Sequence, residues 1–418
     1  MRVIRKLISE EDFTSFTNIV ANAYTALLAN TEEAKQRYKQ FLLHKQQQDE
    51  GVDYYGMFQN DKLLAGMRIH YYEMTLYNTT IKIGGVGLVA VDLLHKKERA
   101  AKALIEHFLQ MFREQNVSLV ALYPFRPDFY KKMGFGYGPN IHHYVLKPDA
   151  FPKGPTKEHL FFASIDDKAE LKACYNRFVE KNHGMFFKTD FEWQAFFKQP
   201  ENRIVAFQKN NQIQGYLVFS FKKQHEANFL RNNLIIQEFI YETPEALLEL
   251  STFLNSQADQ VHQIEWTTHD DNVRFFIADA RNGSAQLIPS VYHPSSTSGI
   301  GLMYRIIHIE RFLQQLRTKP VKVTSVTWQL SVVDSFFADN NAQYVLQAKN
   351  GFLEVVENVD VDVEVTIEIS DLSSLLMGVV TFKELYMYSK LKISNSDYIE
   401  ILNELFMNFE KPLCMTAF

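Results

Sequence analysis

One order of elements occurs twice in this chain, and that repetition constrains its fold more than any single motif does. In the first pass, residues 3–7 read as a strand, and Ser9-Glu10-Glu11-Asp12 reads as a helix start with capping-box character. A second helix is expected over residues 31–48. Residues 54–58 and 63–72 form a hairpin about Asn60-Asp61, and Asn78-Thr79-Thr80 turns into a strand over 81–91. An amphipathic helix over 99–115 follows, with Leu104, Phe108, Met111 and Phe112 on one face. A buried strand at 117–123, a short helix at 127–133 and a strand at 142–146 close the unit. After a Pro/Gly/Lys segment at 147–157 the order returns in outline: strand 160–163, helix 169–180, hairpin 203–222 turning at Lys209-Asn210-Asn211, strand 234–241, helix 244–255, strand 264–267 and a short helix after Asp270.

A Ser/Gly/Pro linker at 293–301 leads to a third unit. It opens with a helix at 309–316, continues with strands at 321–330, 342–348, 352–356 and 361–369, and ends in helices at 372–377, 382–387 and 397–406. The expectation is an α/β (α+β) chain of three units, 1–150, 151–297 and 298–418, which suits 418 residues.

Composition excludes several classes. With 46% hydrophobic and 14% aromatic residues the chain has material for several packed cores. Lys+Arg 44 against Asp+Glu 49 gives a charge of -5, so no global field attracts nucleic acid, and any phosphate site is local. Cys174 and Cys414 are too few for a disulfide framework or a four-thiolate metal site, and His95, His142 and His143 have no ligand partner at metal spacing. The N-terminus meets acidic residues before a signal-peptide core forms, and no apolar run approaches a membrane span. The expectation is a cytoplasmic protein with no metal and no nucleic-acid or membrane partner.

Two segments carry chemistry. The strand Gly87-Leu88-Val89-Ala90-Val91 runs toward His95-Lys96-Lys97-Glu98-Arg99-Ala100-Ala101-Lys102, which opens the amphipathic helix. Free backbone N–H groups and the helix dipole favour phosphate at such a start. Beyond the next strand stands Pro127-Asp128-Phe129-Tyr130-Lys131-Lys132-Met133-Gly134-Phe135-Gly136-Tyr137-Gly138. Its glycines are followed by a strand rather than a helix, so this is no dinucleotide fingerprint, and Tyr137 reads as structural.

Together these segments resemble the Gcn5-related N-acetyltransferases (GNAT), and more closely the enhanced intracellular survival (Eis) family. The resemblance extends over the whole chain: an acetyltransferase domain, a degenerate second copy, a sterol-carrier-like domain, and an end similar to the tail Cys414-Met415-Thr416-Ala417-Phe418. It implies an acetyl-CoA-dependent N-acetyltransferase that passes the acetyl group directly to a primary amine, on an aminoglycoside-like small molecule or a protein lysine. It also implies assembly into trimers or hexamers. Leu88, Val89 and Val91 match the strand that pairs with the pantetheine arm, and the loop Lys96, Lys97, Arg99, Ala100 and Ala101 matches the pyrophosphate site. Tyr130 matches the general acid, and the carboxylate of Phe418 the proposed base.

One departure stands out. Arg99 occupies the place of a glycine that allows close backbone approach to phosphate, and Glu98 adds a negative charge beside it. The second unit reads Glu242-Thr243-Pro244-Glu245 at the equivalent place, an acidic turn from which no cofactor site is expected. The alternative is a scaffold or lipid-binding protein of the same architecture with a decayed cofactor site.

Overall fold

The computed structural model describes residues 2–224, 232–282, 292–317, 319–321, 325–407 and 409–418. Five strands of the first unit are β1 (Arg2–Lys6), β2 (Val52–Gln59), β3 (Lys62–Leu76), β4 (Thr79–Val91) and β5 (Leu119–Leu122). They lie side by side in that order in a seven-stranded sheet, antiparallel except for the β4–β5 pair. Four helices flank them: α1 (Glu10–Ala23), α2 (Glu32–Gln48), α3 (Ala100–Glu114) and α4 (Pro127–Lys131). The capping box at Ser9 forms, with Asp12 returning the bond, and Asp12 is also held by Arg5. On α3, Leu104, Ile105, Phe108, Leu109 and Phe112 are all buried, and each contributes about 1.5–3 kcal/mol of apolar burial.

The sheets exchange strands between units. The strand Asn140–Leu146, expected to close the first unit, instead pairs with Val261–Thr268 and Ser296–Ile300 in a second seven-stranded sheet. Met303–Ile306, expected at the start of the third unit, enters the first sheet between β5 and Gly136–Tyr137. Part of the expected linker at 293–301 is thus an edge strand, and the next few residues form an interior strand. The physical reason is register: residues 140–146 and 303–306 are short segments whose partners are set by which sheet edge is open to them rather than by their own sequence. A five-stranded sheet forms the third unit, and its helix Ile369–Leu376 packs on Gly136–Tyr137 and on Met303–Ile306. Among the described residues, no helix is long and apolar enough to cross a membrane.

Candidate active site

β4 and β5 pair only over Ile83–Leu119, Gly84–Val120 and Gly85–Ala121. Beyond Gly85 the two strands separate, so β4 carries unpaired backbone groups on that side. Gly66 pairs with Ala90 and Arg68 with Gly87, so β4 carries one extra residue, a bulge at Leu88-Val89 opposite Met67, and Leu88 adopts a left-handed φ of 50°. The kink re-aims the end of β4 and opens a cavity of about 770 Å³.

Of the residues that matched a cofactor site in sequence, Val89, Val91, Lys96, Lys97, Arg99, Ala100 and Ala101 line this cavity. Leu88 sits at the bulge outside the lining. Lys102 and Lys132 add to the basic rim, and α3 begins at the cavity with Ala100. Arg99 itself has φ 62°, the left-handed conformation that glycine adopts without cost, so the loop keeps a glycine-type path despite its side chain. The charge of Glu98 is turned aside: Arg2 pairs with its carboxylate, and His95 Nδ1 lies 3.2 Å from it. The cavity therefore fits a polyanionic, partly apolar cofactor such as CoA.

Tyr130, on α4, is 3% exposed and packs edge-on against Phe125, Phe129 and Phe135. Burial, and then the neighbouring Tyr24, push its phenol above the ordinary value. Tyr24 was not singled out from the sequence. Its hydroxyl donates to the Val89 carbonyl at 2.8 Å, and it lines the cavity with Phe125, Phe129 and Phe336. Phe125 and Phe129 flank the tyrosine motif and were legible as its neighbours. Phe336 comes from the third unit, and no local signal marks it.

The C-terminal tail returns to this same sheet. Tyr123 donates to the Thr416 carbonyl at 3.2 Å, and the Phe418 ring lies among His70, Tyr72, Tyr123 and Phe186. Gly85 and Gly87 of β4 leave room for it: a Cβ at Gly85 would stand 3.0 Å from the Phe418 ring, and one at Gly87 3.1 Å from its carboxyl carbon. The tail carboxyl thus lies beside β4, two residues before Val89. Cys414 is buried, which pushes its thiol up to about 11 and leaves it inert as a nucleophile.

In the second unit, the turn before the helix Pro244–Asn255 is already satisfied. Arg177 binds Glu242 at 2.6 Å, Lys209 binds Glu245 at 2.7 Å, and Thr243 caps the helix through the Ala246 N–H.

This strand splay, basic helix start and buried tyrosine define a GNAT acetyltransferase site, and sequence families agree. Residues 4–138 and residues 184–306 each match an acetyltransferase (GNAT) domain, and residues 309–415 match a sterol carrier protein domain. The chain is an acetyltransferase of tandem GNAT domains with a sterol carrier domain, an Eis-like architecture, and GNAT domains use acetyl-CoA. It is similar over its full length to a GCN5-related N-acetyltransferase from Anabaena variabilis (TM-score 0.79, 18% identity, 100% of each chain). It is also similar to a probable N-acyltransferase of unknown function from Enterococcus faecalis (0.77, 17%, 100% of each) and to Eis1 from Mycobacterium abscessus (0.76, 16%, 100% of each). No curated protein matches the chain.

Proposed function

We propose that the first unit transfers an acetyl group from acetyl-CoA directly to a primary amine, with Tyr130 and the Phe418 carboxylate serving the transfer. The observation that carries this reading is the convergence on one strand: β4 borders the basic cavity at Val89 and Val91 and receives the tail carboxyl at Gly87. The thioester supplies an activated acetyl group, and the chain supplies orientation and charge. Lys96, Lys97 and Arg99 hold phosphate at the start of α3, and the backbone of Leu88, Val89 and Val91 aligns the pantetheine arm. A phenol weakened as an acid by burial is a poor proton donor but a sound hydrogen-bond donor, so Tyr130 stabilises the departing sulfur rather than protonating it early. The tail carboxylate anchors the acceptor ammonium or relays its proton through water. Aminoglycoside-like amines and protein lysines are the acceptors implied by the family resemblance.

A pocket in the apolar interior of the third unit, lined by Trp328, Leu346, Leu375, Phe382 and Phe406 among others, has about 10 Å³ of room, roughly a single water, and does not favour the lipid-binding alternative.

Calorimetric titration tests the cofactor site. One CoA is expected per chain, since in the second turn Glu242 and Glu245 already hold Arg177 and Lys209, the basic groups a pyrophosphate would need. Two sites per chain would contradict the assignment, and no binding at millimolar CoA would favour the scaffold reading.

Arg99→Gly separates two roles for the side chain. It removes a left-handed strain of about 1–2 kcal/mol, so the variant should melt higher. CoA affinity should nevertheless fall about tenfold, with a shallower salt dependence, because a charge-assisted contact to phosphate is lost. A tighter-binding variant would identify Arg99 as a decayed position.

A further inference from the structure

The face of the first sheet that receives the tail carries a row of side chains with no role in the cofactor cavity. Tyr54 of β2 pairs across to Arg68 of β3, and Arg68 pairs across to Gly87 of β4. The three positions therefore share one face. Two residues along β3, His70 lies on the same face opposite Gly85, stacked on Tyr72 and 5.4 Å from the Phe418 ring.

These groups are polar, buried and incompletely met by protein. Tyr54 and His70 are both 0% exposed; neither ring nitrogen of His70 has a hydrogen-bond partner, and the Tyr54 hydroxyl has only the adjacent Arg68. The half-buried Arg68 leaves its Nε without one as well. Burial holds His70 neutral, so its ring offers one donor and one acceptor. Buried polar groups are costly to leave unpaired, and several on one face point to a polar occupant.

The charges identify the occupant. Of two nearby carboxylates, Glu192 accepts from the Tyr72 hydroxyl at 2.8 Å, and Asp49 accepts from the Gly51 N–H at 3.1 Å through Oδ1 while its Oδ2 lies 3.9 Å from Lys45 Nζ. No acidic side chain among the described residues forms an ion pair with Arg68. Its Nη2 stands 3.4 Å from the point where a Gly87 Cβ would lie, and the Phe418 carboxyl carbon stands 3.1 Å from that same point. A cationic fork and an anion thus face one spot beside the reacting strand. The two opposite charges complement a molecule that carries both an ammonium and a carboxylate.

We propose that the acceptor is an α-amino-acid-like amine, its carboxylate held by Arg68 and its ammonium by the Phe418 carboxylate. This deepens the acetyltransferase reading and rests on it. The amine, once deprotonated, attacks the thioester carbon. The C–N bond forms as the C–S bond breaks, and the products are an N-acetyl amino acid, CoA thiol and the proton released by the ammonium. A guanidinium binds carboxylate in a bidentate fork, so Arg68 selects the acid over its neutral derivative. Acceptors bearing several ammonium groups and no carboxylate leave Arg68 unpaired and place a cation beside it.

The test uses the full chain, acetyl-CoA, and a panel of free α-amino acids with their carboxamides, their decarboxylated amines, an aminoglycoside and a lysine peptide. CoA release and the mass of the acetylated product are the readouts. The best free amino acid is expected to exceed its carboxamide in kcat/KM by about 10- to 100-fold. Arg68→Gln should bring that ratio close to one, and Arg68→Lys should restore part of it. Thermal stabilisation by CoA establishes that each variant is folded, and the wild-type comparison needs no variant. Equal or better use of the carboxamides, or an Arg68→Gln loss that falls on acid and amide alike, would overturn the acceptor class and leave acetyl transfer standing. Failure of every amine on the panel, with CoA bound, would sink both.

Discussion

Extending the chain beyond Phe418 by even a few residues is expected to lower kcat by about 10²- to 10⁴-fold while CoA affinity stays nearly unchanged. The carboxyl group lies over Gly87, where β4 has no side chain, and the ring is wedged among His70, Tyr72, Tyr123 and Phe186. A peptide bond at that point removes the negative charge beside Gly87. The cofactor cavity is lined by other residues, among them Tyr24, Val91, Arg99, Ala100, Phe129 and Phe336, so CoA binding has no reason to change. Tyr130→Phe is expected to act in the same way, on turnover rather than affinity. In the proposed transfer both groups serve one transition state, so combining the two changes should cost much less than the product of the separate losses. Steady-state kinetics on the four forms, with CoA affinity measured alongside, decides the matter. Full turnover by the extended chain would reduce Phe418 to a packing residue.

What the sequence made legible follows from local physics. The capping box at Ser9, the apolar face of α3 and the basic turn before it depend on neighbours in the chain, and each forms where periodicity put it. The same holds for the cavity rim, since Lys96 to Lys102 sit within one turn of a helix start. What stayed hidden depends on long-range register. Nothing in Met303-Tyr304-Arg305-Ile306 tells a reader that it will lie beside β5 instead of continuing a linker. The row Tyr54–Arg68–Gly87 becomes a face only once three strands are aligned, and the bulge after Gly66 shifts that alignment by one residue. Gly85 and Gly87 read as ordinary strand glycines until the tail, more than 300 residues on, is seen to occupy the space they leave. Phe336 reaches the cofactor cavity from another unit altogether.

The largest stability effect is expected at the buried pair Arg305–Asp334. Both side chains are 0% exposed, and Arg305 Nη2 donates to Asp334 Oδ2 at 2.7 Å. Arg305 also donates through Nη1 to the Met133 carbonyl, just past α4, and a Cβ at Gly134 would lie 1.4 Å from that nitrogen. Asp334 in turn accepts from the backbone N–H groups of Phe336 at 3.1 Å and Phe337 at 2.9 Å, and from Asn340 at 3.2 Å. The pair thereby joins the turn behind Tyr130, the strand Met303–Ile306 of the first sheet, and the third-unit loop that sends Phe336 into the cofactor cavity. Lys131, next to Tyr130, adds a second tie through Asp371 of the third unit. Removing one partner leaves a buried charge uncompensated, so Asp334→Ala should destabilise by about 3–5 kcal/mol, read as a lower Tm and denaturant midpoint. Replacing both, as Arg305→Met with Asp334→Leu, should cost less than the single change, because no charge is then left buried. The double replacement still frees the Met133 carbonyl and the Phe336 loop. Turnover should therefore remain depressed in a variant whose Tm has recovered, which separates positioning of Tyr130 from stability. A single Asp334→Ala variant that loses less than about 1 kcal/mol would mean that solvent reaches Arg305 and that the pair is not the tie between the units.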